Sequence, residues 1–360
     1  MGRQFERGRK KYATIPKIVH LDVAIRQIAC GGLHTAAVTD AGTVYTWGDA
    51  RAHQLGYQPH GFTNQPVPHL VESLEGVAFI VSIACGQSHT VALTDKGSLI
   101  SWGSSKWGQC GQSDRQVVKT PRKIRMDDPT VKFTEVSCGD KHTAALTTKG
   151  TVWAFGSCQQ GQCGFDESPP VDKLKPTEVK SLSEAGIVVT SVVCGSIHTA
   201  MVTDEGALYV CGFGEHFYAS DDQNFFYRPV QIPFHEKVVQ VACGQSHIIC
   251  LTSNSDVYTL GSGAYGQLGQ GTKSDLNTPR LVLTGKNIAQ VAAGRYHSVA
   301  LTSFGTVYAF GNGENGKIIQ RIGSGDEHNP WNMNMFLTYH LCFFRSFAFS
   351  FSVSRSIGPP

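Results

Sequence analysis

The sequence of 360 residues has little net charge and no apolar stretch at its start. Thirty-one Lys and Arg against 28 Asp and Glu leave a formal charge of +3, which argues against a sequence-independent grip on nucleic-acid phosphates. The N-terminus lacks the apolar run of a secretory signal, and no Asn-x-Ser/Thr glycosylation sequon occurs. We therefore expect a monomeric protein of the cytoplasm, the nucleus or both.

Motifs of catalysis and cofactor binding are also missing. The chain has no phosphate-loop Lys-Ser/Thr pair, no paired Cys-x-x-Cys knuckle and no Gly-x-Ser-x-Gly elbow. Gly261–Gly266 and Gly311–Gly316 match the dinucleotide fingerprint, but no helix pattern follows them, so both are interpreted as turns. Cys158 and Cys163, five residues apart, are a weak hint of metal binding. The sequence predicts no enzyme, no cofactor and no metal.

A long membrane-spanning run is absent as well, although the C-terminal tail is apolar. Met335–Phe351 is rich in aromatic residues, but Arg345 interrupts it and it is shorter than the roughly 20 residues that a membrane helix needs. From Phe347 to Ser354 apolar residues alternate with small or polar ones, which is typical of a half-buried strand. A divergent closing strand and a tail from an alternative transcript both fit.

What the sequence does contain is one short phrase, Gly-x-x-His, repeated six times. The steps between its histidines are 55, 53, 56, 49 and 50 residues, a period typical of propeller blades. We interpret these residues as structural, one pair for each blade, rather than as a ring of metal ligands. The pairs are Gly31 and His34, Gly86 and His89, Gly139 and His142, Gly195 and His198, Gly244 and His247, and Gly294 and His297. Five phrases also carry a Cys, expected to be buried and reduced.

Each phrase opens a longer unit with a fixed order of elements. Two β-prone runs separated by a turn such as Asp40-Ala41-Gly42 predict a hairpin, and only the fifth unit has no Gly there. A Gln-x-Gly phrase follows, and then a proline that is predicted to open the outer strand of the next unit. Four short strands in about 50 residues predict an all-β fold, a β-propeller of four-stranded blades.

These phrases resemble the repeats of the regulator of chromosome condensation family. The resemblance covers residues 16–316 and implies a β-propeller, usually of seven blades. Beyond Gly316 the pattern stops, so we expect either seven blades or an incomplete seven-bladed ring. The predicted organisation is a basic arm over 1–15, a six-repeat propeller over 16–316 and a divergent tail over 317–360.

The fourth unit replaces its Gln-x-Gly loop with a segment that mixes aromatic and acidic residues. Such a composition is typical of a binding hot spot, and insertions in repeat proteins concentrate on one face. The alternative is that its aromatic rings pack between blades. The candidate partner-binding residues are Glu215, His216, Phe217, Tyr218, Asp221, Asp222, Phe225, Phe226 and Tyr227.

The resemblance also implies a function. The founding member docks on the small GTPase Ran and loosens its nucleotide with a protruding wedge, which needs no bond-making residue. We therefore expect a protein-binding propeller that regulates a Ran-like small GTPase, at most as a guanine-nucleotide exchange factor. The alternatives are a scaffold of the ciliary, trafficking or ubiquitin type, and a chromatin-bound protein that uses its basic arm. The family's plant UV-B photoreceptor is disfavoured, because no Gly-x-x-His phrase here contains Trp.

Overall fold

The computed structural model describes residues 18–58, 64–167, 169–213 and 225–313. Within these residues the fold is a β-propeller of six antiparallel sheets, with one short α-helix at Lys180–Ser183 and one turn of 3₁₀ helix at Glu72–Leu74. Five sheets have four strands, and the sixth has three within the described residues. This confirms the predicted all-β propeller, while a seventh blade stays a prediction.

The strands follow one another in chain order within each blade. Blade 1 contains β1 (Ile25–Cys30), β2 (His34–Thr39), β3 (Val44–Gly48) and β4 (Gln65–Leu70); blade 2 contains β5 (Ile80–Cys85), β6 (His89–Thr94), β7 (Leu99–Gly103) and β8 (Val118–Lys123); blade 3 contains β9 (Phe133–Cys138), β10 (His142–Thr147), β11 (Val152–Gly156) and β12 (Lys173–Glu178). Blade 4 contains β13 (Val189–Cys194), β14 (His198–Thr203), β15 (Leu208–Phe213) and β16 (Phe225–Ile232); blade 5 contains β17 (Val238–Cys243), β18 (His247–Thr252), β19 (Val257–Gly261) and β20 (Leu276–Leu283); blade 6 contains β21 (Ile288–Ala293), β22 (His297–Thr302) and β23 (Val307–Gly311).

The core consists of layers between successive blades. The second strands β6, β10, β14 and β18 are buried at every residue, because a neighbouring blade covers each of their faces. Strands covered on both sides are expected to be apolar, and the third to fifth residues of all four are, whereas the polar His and Thr stand towards their ends. The five larger apolar clusters each combine strands of adjacent blades, and only a small cluster around Ala292 and Val299 lies within one blade, blade 6.

The hairpin turns between the second and third strands form as the sequence predicts. Gly42 takes φ +74°, and the glycines at the same place in blades 2, 3, 4 and 6 also have positive φ. Such a φ costs residues other than glycine about 1 to 2 kcal/mol. In blade 5, Ser255 accepts this conformation with φ +65°, so the turn survives without its glycine.

The prolines occupy a different place from the predicted one. Pro68 and Pro121 lie inside β4 and β8, each of which hydrogen-bonds to the third strand of the preceding hairpin. The proline therefore belongs to the outer strand that ends a blade, and the prediction that it opens the next unit was wrong. The reason why these strands tolerate proline holds, because an outer strand has one unpaired edge, where a missing N–H removes no hydrogen bond between strands.

The two end blades are less covered than the others. Ile25 and Ile28 of blade 1 are partly exposed, whereas the residues at these two places in every other blade are buried. In blade 6 every residue of β23 is partly exposed. No helix in the described part of the chain is long and apolar enough to span a membrane. The predicted basic arm over 1–15 and the predicted tail over 317–360 lie outside the described residues.

Candidate functional site

The repeated histidines join neighbouring blades through a chain of hydrogen bonds. His34 Nε2 lies 2.9 Å from Thr90 Oγ1 of blade 2, and this hydroxyl donates to the Gln54 carbonyl oxygen of blade 1 at 2.9 Å. Since the hydroxyl gives its one proton to the carbonyl, it accepts from Nε2–H, which assigns the histidine tautomer. The same chain recurs in His89, Thr143 and Gln109; in His142, Thr199 and Gln162; and in His247, Ser298 and Gln267.

The junction between blades 4 and 5 is the exception. Ile248 stands where the other junctions have the hydroxyl residue, and blade 4 has lost its Gln-x-Gly loop. The Gln-x-Gly phrase and the hydroxyl residue that donates to it are thus absent from the sequence at the same junction. This joint loss indicates that the Gln of one blade and the hydroxyl residue of the next function as a pair.

The Gln of the Gln-x-Gly phrase also shapes its own loop. Gln54 Oε1 accepts from the Ala52 backbone N–H at 2.8 Å, and Gln109 Oε1 accepts from that of Trp107 at 2.8 Å. Gln162 and Gln267 make the same contact. The side chain thereby fixes the loop, and the backbone carbonyl oxygen of the same Gln accepts the hydroxyl hydrogen bond from the next blade.

The glycine of each Gly-x-x-His phrase allows two blades to approach closely. A methyl group on Gly86 would lie 2.0 Å from His89 Cε1 and 2.6 Å from the Gly139 carbonyl oxygen. Neither distance is tolerable for carbon, and Gly139 is in the same position towards His142 and Gly195. Because the φ of these two glycines is not positive, backbone conformation does not require glycine here. The lack of space for a Cβ atom does.

Burial makes the repeated histidines and cysteines unsuitable for acid–base or nucleophilic chemistry. Desolvation lowers the pKa of His34 to about 4, against a smaller opposing effect of Asp49, and it lowers the pKa of His247 to about 3. Burial likewise raises the pKa of Cys85 and of Cys110 to about 12. His34 and His247 are therefore neutral and the Cys85 and Cys110 thiols protonated at neutral pH, so we assign the phrase to the joining of blades.

One joint between blades carries an ionisable group. On the inner strands, Gln27 Oε1 accepts from the Ile83 N–H of the next blade at 2.9 Å, and Gln27 Nε2 donates to the Ile83 carbonyl at 3.1 Å. Blade 3 has Glu135 at this place, and its carboxyl accepts from Val192 N–H and Ser191 Oγ, both at 3.2 Å. Desolvation raises the pKa of Glu135 to about 7, because it outweighs these two hydrogen bonds.

The predicted partner-binding residues fall mostly outside the described residues, from Glu215 to Asp222. Phe225, Phe226 and Tyr227 begin β16. Phe226 packs against the apolar cluster of blades 4 and 5, which fits the alternative that these aromatics fill space between blades. The rings of Phe225 and Tyr227 lie 6.1 Å apart and are partly buried. Their role in binding stays a prediction.

The cysteines differ in their state. Those of the five repeat phrases are free and buried, whereas Cys158 and Cys163 form a disulfide. The hint of metal ligation at this pair thus has another explanation. Among the described residues no group of three or more His, Cys, Asp or Glu could hold a metal ion.

The sequence analysis missed a set of aromatic and cationic residues on one face of the ring. This face, called the turn face, carries the Gly-x-x-His turns and the loops after the third strands. Lys141 Nζ of blade 3 lies 5.0 Å from the ring centre of Trp107 in blade 2, and Lys106 lies 5.6 Å from it. Between blades 5 and 6, Tyr265 and Tyr296 have ring centres 4.5 Å apart.

The two aromatic contacts on the turn face are equivalent by position. Trp107 and Tyr265 each stand two residues before the Gln of a Gln-x-Gly phrase, and each contacts the turn of the following blade. Arg295 adds a cation 5.4 Å from the Tyr296 ring. Arg295 and Tyr296 also line a cavity of about 490 Å³, together with turns of blades 1, 2 and 3. Aromatic rings beside cations are the side chains that dominate protein interfaces.

Comparison with known proteins gives relatives of the same architecture. Human E3 ubiquitin-protein ligase HERC2 is 33% identical over 282 residues, which cover 76% of this chain and 6% of HERC2. The ultraviolet-B receptor UVR8 of Arabidopsis thaliana is 33% identical over 264 residues, which cover 72% of this chain and 58% of the receptor. The chain thus spans less than two thirds of either relative.

Solved structures agree with the fold. Human WBSCR16 superposes with a TM-score of 0.75 at 26% identity, covering 87% of this chain and 83% of WBSCR16. Prp20p of Saccharomyces cerevisiae superposes with a TM-score of 0.70 at 22% identity, covering 82% and 73%. A family model described as the RCC1-like domain matches residues 2–353. The resemblance inferred from the repeat phrases is confirmed, and the chain belongs to the RCC1-like domain family.

Proposed function

We propose that this chain is a non-catalytic propeller that binds a protein partner through its turn face. The observation that carries the proposal is the pair of aromatic contacts on that face, Trp107 with Lys141 and Tyr265 with Tyr296. Tyr265 is 46% exposed and Trp107 and Tyr296 are partly exposed, so all three side chains are accessible to a partner. The buried histidines and thiols, with the pKa values given above, favour binding over chemistry.

The proposed partner is a Ran-like small GTPase, whose nucleotide release the chain would accelerate without covalent chemistry. Support comes from the family, since the structural study of Prp20p describes its binding to Gsp1p and histones. A propeller that acts by contact alone needs only a rigid face and well-placed aromatic residues. That is the kind of face described here.

The exchange version is tested by loading Ran with fluorescent GDP and adding the chain at micromolar concentration. We expect faster release of the nucleotide, and we expect the joint replacement Trp107→Ala and Tyr296→Ala to abolish the acceleration. Phe304→Ala is the matched control, because Phe304 is 79% exposed but lies in a hairpin turn at the opposite ends of the strands. Absence of acceleration by the unaltered chain would eliminate the exchange role.

The scaffold alternative predicts stable association with a partner and an unchanged rate of nucleotide release. It is favoured by the similarity to HERC2, in which such a segment is a small part of a long chain. The chromatin alternative predicts DNA binding that weakens steeply with salt and is lost when residues 1–12 are removed. The near balance of charge places it behind the other two.

A further inference from the structure

A groove at the periphery, between blades 2 and 3, is distinct from the turn face. It encloses about 900 Å³ and is lined by the outer strand β8 and by the connection from Ile124 to Lys132 that leads into blade 3. Four cations line it, namely Arg122, Lys123, Arg125 and Lys132, and all four are exposed. We call this feature the basic groove.

The cations of the basic groove are largely uncompensated. Among the residues that the structure describes, Asp114 is the one acidic residue that lines the groove. Its carboxylate lies 3.6 Å from Arg122, and Arg122 Nε donates to Gln112 Oε1 at 2.7 Å. Asp127 pairs with Lys175, and Asp128, which accepts from Thr130 N–H at 2.8 Å, is not part of the lining. Lys123, Arg125 and Lys132 are therefore available to an incoming anion.

The repeat provides an internal comparison. The equivalent groove between blades 1 and 2 encloses about 580 Å³ and is lined by Glu75 and Asp95 together with Lys96 and with Lys123, which lines both grooves. Two acids there balance two bases. The excess of positive charge is thus a property of the junction between blades 2 and 3 and not of the fold.

The lining also distinguishes between classes of anion. Single-stranded nucleic acid would need exposed aromatic rings on which its bases stack, and the one aromatic side chain that lines the groove, Phe133, is 3% exposed. Met126 and Val131 are partly buried aliphatic side chains beside the cations. Apolar contacts next to cations suit a peptide that has both carboxylates and an aliphatic residue.

We propose that the basic groove binds an extended acidic peptide segment of a partner protein, with carboxylates on Lys123, Arg125 and Lys132 and an aliphatic side chain against Met126 and Val131. This inference rests on the proposed function as a protein-binding propeller. It adds a second contact site, remote from Trp107, that would select partners by charge.

The test is fluorescence anisotropy with the full chain and a fluorescein-labelled peptide of eight glutamates around a central leucine. We expect saturable binding that weakens as salt is raised from about 50 to about 200 mM, because exposed charges are screened over a Debye length of about 10 Å. The triple variant Lys123→Glu, Arg125→Glu and Lys132→Glu should bind about tenfold more weakly. Thermal unfolding checks that the variant is folded.

The matched control is the triple variant Lys180→Glu, Lys237→Glu and Lys286→Glu. These three lysines are exposed on the connections that follow blades 3, 4 and 5, and their replacement makes the same change in net charge. The control should retain affinity within about threefold. An equal loss in both triple variants, no binding by the unaltered chain, or tighter binding of oligo-dT with the same sensitivity to Lys123 would each overturn the proposal.

The GDP-release assay separates the groove proposal from the exchange proposal. If the groove variant loses the peptide but still accelerates GDP release, only the turn face acts on the GTPase. If the peptide does not bind the unaltered chain while GDP release is accelerated, the groove proposal fails and the exchange proposal stands.

Discussion

Replacing Gly86 with alanine is expected to lower the free energy of unfolding by more than about 3 kcal/mol, a large share of the roughly 5 to 15 kcal/mol that is typical of folded proteins. The added methyl would lie 2.0 Å from the His89 ring and 2.6 Å from the Gly139 carbonyl oxygen. Relief would require the imidazole to leave Thr143 or blades 2 and 3 to move apart. Urea denaturation followed by circular dichroism measures the loss.

The control for this substitution is Gly76→Ala. Gly76 has φ +67° and no atom within 4 Å of the position that a methyl would take. Alanine there suffers from backbone conformation alone, at about 1 kcal/mol. At Gly86 the φ is not positive and the cost is one of space. Similar losses at the two positions would show that close approach of blades is not what the phrase glycine provides.

Replacing Glu135 with glutamine is expected to stabilise the protein by about 3 kcal/mol at pH 8 and to change little at pH 4.5. The folded carboxyl keeps its proton up to a pKa of about 7, whereas the unfolded one loses it near 4.5. Between pH 4.5 and pH 7 the folded state binds more protons than the unfolded state, so the free energy of unfolding falls as pH rises. The full loss of stability is reached above pH 7. Each unit of difference between the folded and unfolded pKa corresponds to about 1.36 kcal/mol, so the difference for Glu135 amounts to about 3 kcal/mol of stability.

Urea midpoints of the Glu135→Gln variant and the unaltered chain at pH 4.5, 6 and 8 give the difference directly. The two buried histidines act in the opposite direction, since their low pKa values remove stability as pH falls below about 6.5, but they contribute equally to both proteins. The reciprocal variant Gln27→Glu should have a lower free energy of unfolding at pH 8, because a carboxylate oxygen would face the Ile83 carbonyl oxygen to which Gln27 Nε2 donates. A difference that does not change with pH would refute the assignment.

The fold could be predicted largely because each blade repeats the same local requirements. Gly42 marks a hairpin that needs positive φ, and the period of His34 and its equivalents sets the length of a blade. The proline strand was assigned to the wrong blade, since the order of strands in the chain does not show which neighbour an outer strand pairs with. The antiparallel pairing of β4 with β3, in which His69 lies opposite Thr46, decides that.

The candidate sites could be predicted less well, because they arise between blades. Trp107 and Lys141 are 34 residues apart, and their contact depends on the way one blade leans on the next. The basic groove likewise combines β8 with a connection that differs in every blade. Glu135 was within reach, however, since a comparison of the third residue of each inner strand shows Gln27 and Gln240 at its place.

The central claim is that the repeated histidine holds one blade to the next and takes no part in chemistry. A double-mutant cycle of His89→Ala and Thr143→Val measures this link, with unfolding free energies for both single variants and the double variant. We expect a coupling energy of about 1 to 2 kcal/mol, and less than about 0.5 for His198→Ala with Ile248→Val, because the Ile248 side chain has no hydroxyl. Equal coupling in the two pairs, or none in either, would contradict the account.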